Sequence, residues 1–359
     1  MAGPSQKWNS ENMTMPSELP GTGLDMGRLE AWLGTHLAGF HPPFVLSKFP
    51  GGQSNPTYLI DAASGKYVLR RKPFGDLLPS AHAVDREFRL ISALSPAGFR
   101  TAKPLAFCED PTVIGSLFYV MSYLDGRTFW DGALPQLNRV DRSDVYFALV
   151  DTLADLHGLD PVAVGLSDYG KPGNYFERQV GLWTRQYRAS QTDQIDSVEN
   201  LMEWLPRTVP PQTRTSIVHG DYRIDNVVFA SDRTQVLGVL DWELSTLGDP
   251  LADFTYFAMS WIQAYEGKAG LQGLDLPALG IPSIDAMIER YCVRTGRDGL
   301  PDLDWYFAYN LFRITAILQG VKKRALQGNA SSADAADMAG RIVPFAERAW
   351  QFARKSQKT

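Results

Sequence analysis

Two hydrophobic periods divide this chain and predict an α+β fold in two lobes. Up to residue 124, short apolar runs alternate with turns rich in Gly, Ser and Asn, the pattern of an antiparallel sheet. Beyond it, apolar residues recur every three or four positions over long stretches, as in helices. A third observation is Ile217–Phe229, IVHGDYRIDNVVF, where a polar loop separates two β-rich runs. The expectation is a flexible N-terminal arm (1–23), a first lobe (24–124) and a second lobe (125–359). The first lobe should hold a five-stranded antiparallel sheet plus a helix, and the second should be mainly helical.

In order, 24–37 puts Leu29, Trp32, Leu33 and Leu37 on one helical face. Strands are expected at 44–49 and 57–61, around Pro50-Gly51-Gly52-Gln53-Ser54-Asn55-Pro56. Glycines there let backbone N–H groups approach a phosphate closely, and a plain hairpin turn would use them equally well. Residues 67–71 form a third strand carrying Arg70, which can contact phosphates bidentately. Residues 83–94 form an amphipathic helix with Glu87, either the partner of Arg70 or a solvated helix charge. Strands near 103–108 and 117–124 follow. The second runs into Ser122, Tyr123 and Leu124, whose backbone suits a nucleobase edge, as would any strand-to-helix connector.

The second lobe reads as helices at 143–158, 172–188 and 198–205, then the 217–229 hairpin and an apolar run ending at Asp241. His157 is expected to complement a helix dipole. Asp249-Pro250 starts a helix in which Asp253 sits among apolar residues. A carboxylate there is costly unless bonded, so Asp253 should brace the 217–229 loop from beneath. Helices at 283–295, 303–326 and 333–355 complete the chain.

With 44% hydrophobic and 21% charged residues, the 359-residue chain has the composition of a globular protein. A net charge of −5 argues against a nucleic-acid surface. No run reaches the ~18 apolar residues of a membrane span, and the N-terminus lacks the apolar core of a signal peptide. Cys108 and Cys292 have neither disulfide nor metal spacing. A cytoplasmic monomer or homodimer is the expectation.

The chemistry lies in Asp221, Asn226 and Asp241. In kinase-type phosphotransfer one Asp accepts the proton of the attacking hydroxyl. An Asn five residues on and an Asp on the next strand hold Mg²⁺ against the phosphates, because Mg²⁺ demands hard oxygen ligands. His-Gly-Asp alone is common; joined to the Asn, the flanking strands and the second Asp, it is specific. His219 is expected to scaffold the loop through its ring.

These segments, VHGDYRIDN and VLDWE, resemble the aminoglycoside phosphotransferase family, a relative of choline kinases and protein kinases, over roughly residues 40–330. The resemblance implies a protein-kinase-like two-lobe fold with ATP and Mg²⁺ as cofactors. It makes Asp221 the catalytic base, Asn226 and Asp241 metal ligands, and Glu87 the partner of the phosphate-contacting Arg70. Gln53, Ser54, Asn55, Ser122, Tyr123 and Leu124 are the remaining candidate nucleotide contacts. The Ala-Pro-Glu signature of protein kinases is absent, which argues for a small-molecule acceptor.

YVLRRKP, HAVDREFRLISAL and LDWELSTLGDPLADF are similar to the kinase-like domain fused to some acyl-CoA dehydrogenases. That similarity implies phosphorylation of a hydroxyl such as that of a 4-hydroxyacyl-CoA. Polycationic aminoglycosides call for a carboxylate-lined pocket, whereas the late helix offers Arg313, Lys322, Lys323 and Arg324. Glu243, Arg313, Lys322 and Arg324 are the candidate acceptor residues; a solvated basic face explains the cations equally well. An aminoglycoside-modifying kinase and an inert nucleotide-binding module remain the alternatives.

Overall fold

Five strands form the first sheet: β1 (Phe44–Lys48), β2 (Thr57–Ala62), β3 (Gly65–Arg71), β4 (Pro104–Cys108) and β5 (Phe118–Ser122). Their order is β1-β2-β3-β5-β4, and every neighbouring pair is antiparallel. The computed structural model describes residues 24–49, 55–74, 83–327 and 335–357. The expected arm and the loop residues Gln53 and Ser54 lie outside the described residues.

The chain divides into two units, Met1–Phe88 with Lys103–Tyr123, and Arg89–Ala102 with Leu124–Thr359. The second unit thus claims Arg89–Ala102, which the sequence places in the first lobe. In the first unit α1 (Met26–His36) begins at Asp25, whose carboxylate accepts the Arg28 N–H at 2.9 Å. The fully buried Leu29 and Leu33 of α1 cluster with Leu46, Tyr58, Ile60, Leu69, Phe118 and Val120, alternate residues of the strands. That periodicity turns the intervening Thr57, Arg70 and Tyr119 to the other face, where they are cross-strand neighbours. Glu87, on α2 (Val84–Leu94), meets that row.

The second unit is mainly helical. α3 (Arg139–Gly158) starts a turn earlier than periodicity alone suggests, because Asn138 accepts from the N–H groups of Val140 and Asp141. α4 (Tyr175–Ser190) and α5 (Asp196–Trp204) follow. Four short strands come next: β6 (Ser216–Val218), β7 (Val227–Phe229), β8 (Val236–Val239) and β9 (Thr246–Gly248). Then come α6 (Leu251–Ile262), α7 (Leu276–Leu279), α8 (Ile284–Thr295) and α9 (Asp304–Leu326).

Two expectations need correction. The strands flanking the loop do not pair with each other: β6 pairs with β9 and β7 with β8, so the loop crosses between two small sheets. The last expected helix is two, α10 (Ala335–Gly340) and α11 (Ile342–Ser356). Pro344 explains the break, since its ring would clash with the carbonyl of residue 340 in a continuous helix, yet it is tolerated in a first turn.

Candidate active site

The polar loop is fixed from three sides within the second unit. His219, fully buried, accepts the Asp221 N–H through Nδ1 at 3.1 Å and meets the Leu240 carbonyl through Nε2 at 2.8 Å. Because Nδ1 accepts, Nε2 carries the proton; the ring scaffolds, as expected. The Tyr222 hydroxyl donates to the Leu149 carbonyl of α3 at 2.8 Å.

From beneath, Asp253 accepts the His219 N–H at 2.6 Å and the Gly220 N–H at 2.8 Å, one on each oxygen. His157 adds a contact at 3.3 Å and is itself held by Tyr291 at 2.8 Å. Burial opposes the Asp253 charge, but the His157 contact and the Gly220 N–H outweigh it and hold the carboxyl below its ordinary range. His157 is therefore no simple helix-end residue; it is buried and orients the brace.

Gly220 has a φ of +87°, and a Cβ there would stand 2.6 Å from the Leu244 carbonyl oxygen. Both the conformation and the close approach require glycine. Gly220→Ala is expected to cost about 1–3 kcal/mol of stability and to displace Asp221. A urea unfolding midpoint equal to that of the wild type would refute this.

Strand register brings the three residues singled out in the sequence near one another. Val227 of β7 faces Val239 of β8, so Asn226 and Leu240 extend the same paired end. The Leu240 N–H donates to the Asn226 carbonyl at 2.8 Å, which brings Asp241 beside the loop. The Asn226 side-chain amide donates to the Asp221 carbonyl at 2.8 Å and to its carboxylate at 3.2 Å. With its nitrogen so used, Asn226 has its oxygen as the atom to offer a cation. The Asn226 side-chain oxygen and the Asp241 carboxylate are both hard oxygen donors, the type of ligand that Mg²⁺ takes.

Two site residues have no counterpart in the sequence-level expectations. Arg223 lies 3.3 Å from Asp221 and 2.8 Å from Asp225, tying the loop carboxylates together. Tyr256 stands one turn after Asp253 on α6, and burial together with the Asp221 charge raises its hydroxyl well above the ordinary range. The helical spacing from Asp253 is the signal that could have found it.

In the first unit, Arg70 is paired through Nε with Glu87 at 2.8 Å, as anticipated. Glu87 also accepts from Asn55 at 2.7 Å and Tyr119 at 3.1 Å. Asn55, almost fully buried, is thereby turned inward to brace Glu87, not outward as a loop contact. The Ser122 N–H donates to the Lys103 carbonyl at 2.9 Å, and its hydroxyl accepts the Lys103 N–H at 2.9 Å. The Lys66 ammonium lies over the Tyr123 ring at 5.9 Å, and Leu124 abuts Gly238.

The late helix does not present one basic face. Arg313 is buried and donates to the Gly220 carbonyl at 2.6 Å. Lys322 pairs with Asp193, Lys323 donates to the Ala189 carbonyl at 2.7 Å, and only Arg324 is exposed. Glu243, two residues past Asp241, is exposed.

A five-stranded antiparallel sheet joined in sequence to a mainly helical unit defines a protein-kinase-like phosphotransferase fold. Residues 45–286 match the model of the phosphotransferase enzyme family, and the chain belongs to that family. It is 44% identical to mouse acyl-CoA dehydrogenase family member 10 over 329 residues, 91% of this chain and 30% of that protein. It is 39% identical to mouse acyl-CoA dehydrogenase family member 11 over 348 residues, 95% of this chain and 45% of that protein. The chain thus spans less than half the length of these relatives. A crystal structure from Ralstonia eutropha, provisionally described as an aminoglycoside phosphotransferase, superposes with a TM-score of 0.85 at 45% identity, covering 92% of this chain and 99% of that one. A spectinomycin phosphotransferase in complex with ADP and spectinomycin shares the fold alone, with a TM-score of 0.60 at 12% identity, covering 91% and 98% of the two chains.

Proposed function

We propose that this chain is a small-molecule kinase that transfers the γ-phosphoryl of ATP to an alcohol. The observation that supports it is the braced loop in which Asn226 bonds the Asp221 carboxylate, with Asp241 just past the strand paired to β7. The acceptor oxygen bonds to the γ-phosphorus as the bond to the β,γ-bridging oxygen breaks. ADP leaves with that electron pair, and the hydroxyl proton passes to the Asp221 carboxylate. Asn226 and Asp241 would hold Mg²⁺, whose chemistry when bound would be to offset the charge of the phosphates. Arg70, fixed by Glu87, serves as the cation for the α and β phosphates.

The acceptor is proposed to be a hydroxyacyl-CoA or another anionic alcohol. The relatives' dehydrogenase names point to acyl-CoA chemistry, and Arg313 places a cation beside the catalytic loop. No helix among the described residues is long and apolar enough to cross a membrane. Both cysteines are free and buried, which suits a reducing compartment such as the cytoplasm.

Phosphoryl transfer to 4-hydroxypentanoyl-CoA and to kanamycin, followed by ADP release with and without Mg²⁺, tests the reading. Mg²⁺-dependent turnover of the thioester is the expected result. Turnover of kanamycin alone would make the chain an aminoglycoside-modifying kinase. Nucleotide binding without product from any alcohol would make it an inert binding module.

A further inference from the structure

Asp241 stands in a left-handed backbone conformation that few residues other than glycine adopt, with φ +64° and ψ +63°. A side chain held there needs surroundings that leave the backbone no alternative. The chain supplies them on both sides. The Trp242 indole reaches back past Asp241 and donates to the Val239 carbonyl at 3.1 Å. Its ring packs against His219 at 4.6 Å and meets Phe99 edge-on at 5.9 Å. Trp242–Leu244 then form one helical turn, closed where the Ser245 N–H donates to the Trp242 carbonyl at 3.1 Å.

The Ser245 hydroxyl shuts that turn. It donates to the same Trp242 carbonyl and lies 2.7 Å from the Tyr169 hydroxyl. A carbonyl can only accept, so the one Ser245 proton is spent there and Tyr169 donates to the serine oxygen. Both side chains are buried, Tyr169 at 1% and Ser245 at 4% exposure, where an unmade hydrogen bond is costly. The backbone that carries Tyr169 is itself anchored. Gly170 lies so close to β9 that a Cβ there would stand 2.4 Å from the Thr246 hydroxyl and 2.6 Å from the Leu247 nitrogen. On the other side, Arg89 grips the Asp168 carboxylate with both terminal nitrogens and donates to the Gly165 carbonyl at 3.2 Å.

We infer that Tyr169 is a positioning residue for the divalent cation, because the proton it gives to Ser245 locks the turn that fixes the Asp241 backbone. The inference rests on the phosphotransfer reading above, which makes Asp241 a cation ligand. Tyr169 is not itself a ligand; it acts through the turn. Without its hydroxyl, Ser245 is free to turn away from the Trp242 carbonyl, and Asp241 visits ordinary backbone conformations. The cation must then draw the ligand back into place, and the cost appears as weaker cation binding.

The test reads cation affinity apart from nucleotide affinity. Calorimetry measures Mn²⁺ binding to the full chain saturated with ADP, and ADP binding in EDTA. The proteins are the wild type, Tyr169→Phe, Ser245→Ala and the double variant. Tyr169→Phe keeps the buried ring and removes only the hydroxyl. It is expected to weaken Mn²⁺ binding about 10-fold, as for a lost partner of a metal ligand, and to leave metal-free ADP affinity unchanged. Because the two hydroxyls act in one chain, the double variant should bind Mn²⁺ no more weakly than Ser245→Ala alone. Wild-type Mn²⁺ affinity in Tyr169→Phe overturns the inference, as do additive losses in the double variant. A parallel loss of metal-free ADP affinity would show general loosening and overturn it as well. Asp241→Asn tests the underlying reading separately. If that variant binds Mn²⁺ as tightly as the wild type, or the wild type binds none, the cation assignment has failed and the inference falls with it. A weakened Asp241→Asn beside an unaffected Tyr169→Phe removes the inference alone.

Discussion

Asp221→Asn is expected to fold normally, to bind ATP with near wild-type affinity and to lose about 10²–10⁴-fold in kcat. The carboxylate meets Arg223 at 3.3 Å and the Asn226 amide at 3.2 Å, and an asparagine of the same shape can still present an oxygen to one of them. What disappears is the charge and the basicity. A group that acts only as the hydroxyl is attacked should affect kcat and kcat/KM for the acceptor together, with the ATP dissociation constant nearly constant. Steady-state ADP release and calorimetric ATP titration separate the two quantities. A variant that keeps the wild-type kcat would remove Asp221 from the role of base.

The features legible in the sequence were those with a strong period or a costly residue. The third strand and the amphipathic α2 were both legible, and the family resemblance paired Arg70 with Glu87 across them. Asp253 was legible because a carboxylate on an apolar helix demands partners, and the loop N–H groups supply them. Strand pairing around the catalytic loop was not. β6 and β9 are three residues each and carry no period of their own, so adjacency in sequence suggested the wrong partner. The burial of Arg313 and its Gly220 partner were hidden for a related reason. Most of α9 from Trp305 to Ala316 is buried, so periodicity cannot say which neighbour a given residue meets. The nearby Lys322 and Lys323 made a basic surface stripe look plausible, whereas each is already bonded to the turn end of α4 or the segment just after it. Asn55 follows the same logic: a loop asparagine beside glycines looks like a ligand contact until the buried Glu87 is seen to need a donor.

Asp253→Ala is expected to lower stability by about 3–5 kcal/mol and to abolish turnover, because it removes one partner from a buried, charge-assisted network. Three groups lose their acceptor at once in an almost fully buried site: the N–H of His219, the N–H of Gly220 and the His157 ring. Asp253→Asn keeps one oxygen but turns an NH₂ toward a second donor, so an intermediate loss is expected. The acid side of the stability curve gives an independent reading. The folded state holds the Asp253 carboxyl below its ordinary range despite burial, so its contribution is fully present above about pH 4, the value for an unfolded aspartate. That contribution is lost as the pH falls through the depressed folded value. Asp253→Asn should therefore flatten the acid limb of the urea midpoint measured between pH 6 and pH 2. It should also lose activity together with stability, where Asp221→Asn loses activity alone. An Asp253→Ala protein that unfolds at the wild-type midpoint would leave the catalytic loop without the support assigned to it, and the rigid placement of Asp221 would need another source.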